Sequence, residues 1–315
     1  MKVISTKLIF LICLFAVIFF LSVLIGADLS IGSKSMPEIL YMIRLPRALT
    51  AVIAGCTFAM CGAVFQSLFR NPIASPFTLG TAGGASLGVT IYISFFTSSG
   101  FLGLALSPLF AFAGALLSIS VIYFIVSIKK TFNPNTMILA GVVLNFFFSG
   151  MVLLIQYMTN QANAVRITRW TMGSLDASGF ESLYIPSVVI LTCSLIIYTY
   201  RDDLNLLSMG EDISASRGVD VIRSSRNLFL LSSIMVGTVV SITGPIGFIG
   251  IIAPHIAASF FGRNYRSLLP ASAITGAILM LVCDFASRSL LWPVEVPVGI
   301  ITAIIGAFFF MRLLK

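Results

Sequence analysis

Charge is what this chain has least of. Asp, Glu, Lys and Arg together make up 10% of its 315 residues, against 58% hydrophobic. A water-soluble domain with that balance would expose large apolar patches, so a soluble fold is excluded. Histidine is scarcer still: the single one, His255, cannot build a metal site, and no acid or cysteine stands at ligand spacing from it. The five cysteines, Cys13, Cys56, Cys61, Cys193 and Cys283, all lie within apolar runs, giving neither a disulfide framework nor a zinc spacing. The serine-elbow, zinc-protease and phosphate-loop patterns are missing, so the reading is not an enzyme. No repeated filter segment or ring of charge marks an ion channel.

What remains is apolar continuity. At roughly 20 residues per span, breaks at charged, Pro and Gly clusters predict ten transmembrane helices, near 8–26, 47–67, 77–97, 104–128, 136–158, 183–200, 226–243, 248–261, 268–291 and 297–313. Lys2 and Lys7 ahead of the first run imitate a secretory signal. That run is longer than a usual signal core, and Gly26-Ala27-Asp28 is a poor cleavage site, so it reads as a span. The eighth, about 21 Å long against a hydrocarbon core of about 30 Å, is short or re-entrant. Gly244-Pro245 and Gly247 break the chain before it, and Pro254 lies within it. Broken helices survive at membrane depth only when buried in protein or lining a wet cavity, which points to a translocation path.

Ten spans place both termini on one side. If that side is the cytoplasm, it holds 13 of the 19 Lys and Arg residues, Lys129 and Lys130 among them. The other face keeps Lys34, Arg44, Arg47, Arg166, Arg169 and Arg288. This is the positive-inside bias, and the formal charge of +8 reports topology rather than nucleic-acid binding. Arg47 and Arg226 each open a span followed by a Gly/Pro turn and a glycine-rich or short helix, in opposite directions. Such a pattern is the signature of an inverted repeat, the second to fifth spans against the seventh to tenth.

Several local patterns stand out. Gly80, Gly84 and Gly88 form a bare stripe on the third span where another backbone can approach. Asp284 lies inside the ninth span, where it must pair or stay protonated, and Arg288 is one turn away on the same face. The polar segment 201–226 reads as a short amphipathic helix over 204–217 with Gly218 as its stop. Asn71-Pro72-Ile73 and Asn133-Pro134-Asn135-Thr136 are turn chemistry at two cytoplasmic connections.

Arg44-Leu45-Pro46-Arg47, the Phe69–Pro76 run FRNPIASP, the Leu79–Gly88 run LGTAGGASLG, and Pro245–Gly250 followed by Pro254-His255 together resemble the FecCD-type permease subunits of ATP-driven importers for ferric siderophores, haem and cobalamin. The resemblance reaches almost the whole chain. It implies an all-α integral membrane protein, one transmembrane permease domain over 1–315, working as half of a dimer with a second copy or a paralogue. It implies a bacterial inner membrane with both termini cytoplasmic, no cofactor, and ferric siderophore as cargo ahead of cobalamin or haem. A self-sufficient secondary transporter is the alternative mechanism. By the same resemblance, Arg44, Arg47 and Arg288 pair with glutamates of an extracytoplasmic substrate-binding protein. Leu206, Gly210, Glu211, Ser214, Ala215 and Gly218 belong to a coupling loop seated in one of two ATP-binding subunits. Ile213, Ser214 and Ala215 stand where the family usually has paired alanines. Ile73, Asn135 and Thr136 fall near a cytoplasmic gate, and Glu295 matches the acid that opens the last span.

Overall fold

The structure, a computed structural model, describes residues 2–25, 36–96, 106–128, 134–176, 179–291 and 293–313. Every regular element among them is a helix, as apolar runs demand where no water can satisfy backbone N–H and C=O groups. In chain order these are α1 (Lys2–Leu24), then a single turn α2 (Met36–Ile39) continuing through a π-helical turn (Leu40–Arg44) into α3 (Leu45–Leu68), and α4 (Thr81–Phe96) after a 3-10 turn (Pro76–Leu79). There follow α5 (Ser107–Ile128), α6 (Pro134–Met158), α7 (Gln161–Thr171), α8 (Glu181–Thr199), α9 (Arg201–Leu207), α10 (Glu211–Ser216), α11 (Val221–Thr243), α12 (Ile249–Phe261), α13 (Tyr265–Ser289) and α14 (Val298–Leu313).

Each of the ten predicted spans coincides with a helix. Among the described residues, seven are long and apolar enough to cross a bilayer, and α4, α12 and α14 are shorter. The predicted eighth span is α12, whose 13 residues reach only about 20 Å. Lys34, Lys129, Lys130 and Asn133 lie outside the described residues.

Several segments depart from the sequence expectation, α11 among them, which begins at Val221 behind an Asp220 cap. The helix expected over 204–217 is two helices, α9 and α10, because Gly210 takes φ +127°, a conformation that turns the chain between them. Gly218, at φ +85°, does end α10. The ninth-span helix begins at Tyr265, earlier than expected, because the Asn264 side chain accepts the Arg266 N–H at 3.0 Å and caps it.

The core is built around α3. Phe58, Phe65, Ala51, Ala54 and Cys61 on it are fully buried, with α13, α12 and α11 packed on its sides. Contact is backbone on backbone: a β-carbon at Gly55 would strike the Gly276 carbonyl of α13, and one at Gly62 would strike the Gly250 carbonyl of α12. Small residues allow this approach, which dispersion and close packing then stabilise. In contrast α6 and α1 are mostly exposed along their lengths, leaving apolar faces for lipid or another chain.

Candidate functional site

Polar side chains gather at the two ends of α3. At its first turn Arg47 donates through Nε to Asp284 Oδ1 at 2.8 Å and through Nη1 to Glu295 Oε2 at 2.7 Å, with Asp176 Oδ1 at 3.4 Å. Arg288 reaches Asp284 Oδ2 at 2.9 Å and donates to Ser22 Oγ of α1 at 3.1 Å. Asp284, with 1% of its side chain exposed, is therefore bracketed by two guanidinium groups. Its i,i+4 partner was visible in the sequence; Arg47, 237 residues away, was not.

This arrangement qualifies the docking expectation. Arg47 and Arg288 keep only 12% and 8% of their side chains exposed and are satisfied within the chain. Arg44 is half-buried at the rim, with Nη1 donating to the Leu24 carbonyl that ends α1 at 3.0 Å.

Helix α7 was not anticipated, being short and polar. Its signal was the cap: Asn160 accepts the Asn163 N–H at 2.8 Å. Beside it lies a cavity of about 1100 Å3, bounded also by α4, α6 and the start of α14, and lined by Arg47, Tyr92, Arg166, Arg169, Trp170 and Glu295 among others.

At the other end of α3, Arg70 takes φ +47° and its Nη2 meets Glu211 Oε1 at 3.2 Å. Ser67 Oγ donates to the Leu204 carbonyl at 2.9 Å, so α9 is fastened to α3. It is fastened to α13 as well: Arg266 donates to both carboxylate oxygens of Asp202 at 3.1 and 3.2 Å, and Asn205 Oδ1 accepts the Tyr265 N–H at 2.9 Å. The Arg266 guanidinium holds the exposed Asp202 carboxyl below the usual carboxylate range. Leu206 is half-buried, while Glu211, Ile213, Ala215 and Gly218 face outward. Ser214 is fully buried, its hydroxyl donating to the Gly210 carbonyl at 2.6 Å.

Ile73 is exposed in the turn after α3, its N–H donating to Asn71 Oδ1 at 3.0 Å. Asn135 and Thr136 sit on the first turn of α6, which packs through Asn145 onto the Phe77 carbonyl of the 3-10 turn at 2.8 Å. Gly84 and Gly88 face the α5 backbone, whereas Gly80, at φ +75°, precedes α4 and caps the 3-10 turn. The His255 ring packs edge-on against Phe309.

Comparison with known proteins gives a consistent result. The FecCD transport family matches residues 6–315. The hemin transport system permease protein HmuU of Yersinia pestis is 37% identical over 284 residues, covering 90% of this chain and 84% of that one. The Fe(3+)-citrate import system permease protein YfmE of Bacillus subtilis (strain 168) is 35% identical over 293 residues, covering 93% and 85%. A solved inward-facing structure assigned to the metal-chelate type of ABC transporter matches with a TM-score of 0.88 at 33% identity, over 98% of this chain and 99% of that one.

Proposed function

The chain belongs to the FecCD transport family, and on that premise we propose that it is the membrane-spanning subunit of a binding-protein-dependent importer that carries ferric siderophore into the cytoplasm. It is a multi-pass ABC permease for siderophore, haem, cobalamin or related substrates, a transport component. Iron chelate as the cargo is supported by the Fe(3+)-citrate relative and by the metal-chelate neighbour; cobalamin or haem carried by the same architecture is the second reading.

The observation that carries the ATP-driven mechanism is the α9–α10 segment. It is polar and outward-facing, yet tied by side-chain hydrogen bonds to α3 and α13. A carrier driven by an ion gradient has no use for such a fixture, whereas a subunit that receives force from two cytoplasmic ATP-binding partners needs one. In this reading the Arg70 end faces the cytoplasm, with both termini, and the membrane is the bacterial inner membrane. The Arg47 end receives an extracytoplasmic binding protein. Acids of that protein would meet Arg44 at the rim first, and would reach Arg47 and Arg288 only by displacing Asp284, Glu295 and Asp176. Exposed apolar faces such as α6 support pairing with a second permease copy or paralogue. Gating at Ile73, Asn135 and Thr136 belongs to the same proposal. Nucleotide drives the cycle only through its differential affinity for two conformations.

Uptake of radiolabelled ferric siderophore and cobalamin, in cells with and without this chain, tests the reading. Iron uptake should vanish on deletion of the chain and on deletion of its ATPase partner. Cobalamin dependence would change the cargo, and transport surviving without the ATPase would end the importer reading.

A further inference from the structure

We infer that the cavity beside α7 is a binding site for an anionic organic solute, whose charge is received by Arg166 and Arg169 and whose body packs on Trp170 and Tyr92. The inference rests on the importer reading and adds to it a charge class for the cargo.

The argument begins with charge. Five charged side chains line the cavity. Two of them, Asp176 and Glu295, lie within 3.4 and 2.7 Å of Arg47 and offset its charge. Arg166 and Arg169 form no ion pair among the described residues. Both are exposed, and their i,i+3 spacing puts them on one face of a capped helix. They also stand on the face that the positive-inside bias depletes of cations. Two unpaired guanidinium groups present a fork geometry suited to carboxylate or catecholate oxygens.

The walls then limit what carries that charge. Tyr92, Ile93, Trp170 and Leu175 make much of the lining apolar, so a bare inorganic anion would leave them unused. A volume of about 1100 Å3 lies just above the roughly 300–1,000 Å3 usual for small-molecule sites. It accommodates a chelate with an organic body.

Trp170 supplies the probe. The chain has two tryptophans, so Trp292→Phe leaves Trp170 as the sole reporter in protein purified in non-ionic detergent. Ferric citrate, an anionic chelate, should quench it saturably. Arg166→Gln and Arg169→Gln should each weaken that titration about tenfold or more, the loss of a charge-assisted hydrogen bond, while Arg166→Lys retains part of it. Ferrichrome, a neutral chelate of the same metal, should be indifferent to these changes, and the melting temperatures of the variants should match the parent. Equal titration by both chelates regardless of the arginines would overturn the inference, as would no quenching by ferric citrate. Quenching confined to phosphatidylglycerol vesicles would overturn it in favour of a lipid site. The importer reading is judged separately: if ATP-dependent uptake persists while the titration fails, the cavity inference alone falls.

Discussion

Asp284 illustrates how a residue that looks costly in the sequence becomes a fixed point in the structure. A carboxylate inside a span is tolerated here because Arg47 and Arg288 approach it from two sides at 2.8 and 2.9 Å, and the three groups desolvate together. Removing one member is therefore worse than never having had the set. Asp284→Ala should lower stability by about 3–5 kcal/mol, read as an early thermal transition of the detergent-solubilised chain, because it leaves the buried Arg288 guanidinium without its carboxylate and takes from Arg47 one of its three. Arg44→Glu should behave oppositely. It lies at the rim, so the melting temperature should stay near that of the parent while siderophore uptake falls. Equal loss of stability in both variants would contradict this division of labour. Half of the cluster was legible beforehand: Arg288 stands one turn from Asp284 in the sequence. The other half, Arg47, Glu295 and Asp176, comes from three remote stretches that only the fold brings together.

Among the elements, the contrast is between helix faces that touch through glycine and helix faces that meet no other element among the described residues. Gly55 of α3 meets Gly276 of α13 backbone to backbone, so Gly55→Val must push the two helices apart and should cost about 3 kcal/mol or more, by the overpacking rule. Gly150, in the middle of α6, has no heavy atom beyond its chain neighbours and its own helix backbone within 4 Å of where its β-carbon would stand. Gly150→Ala should raise stability by about 0.5–1 kcal/mol through helix propensity alone. Thermal unfolding of the two variants side by side checks both signs. All ten apolar elements, the shorter α4, α12 and α14 included, could be read from the sequence, since apolar runs of that kind have few other homes. The short polar ones could not. Helix α7 has neither the length nor the hydropathy of a span. The break between α9 and α10 depends on one glycine inside a stretch of otherwise good helix formers.

For the molecule as a whole, the Arg70–Glu211 pair, 3.2 Å apart, is the exposed tie between α3 and the segment proposed to meet the ATPase. Surface pairs contribute little to stability, about 0–1 kcal/mol, so Arg70→Glu should leave the melting temperature almost unchanged. Transport should nevertheless drop, and the exchange Arg70→Glu with Glu211→Arg should recover it in the same uptake assay. Failure of the exchange to recover transport would mean that the tie is incidental. One consequence of α3 extends further. Its 24 residues make a rod of about 36 Å, clamped by carboxylates at one tip and by Ser67 and Arg70 close to the other, with a middle too tightly packed to bend. Such a rod cannot absorb a displacement; it can only pass it on. In the proposed importer, a load applied by a docked protein at the Arg47 tip and a load applied by nucleotide at the Arg70 tip would therefore act on one lever, and each partner would sense the other without any chain of small relays between them.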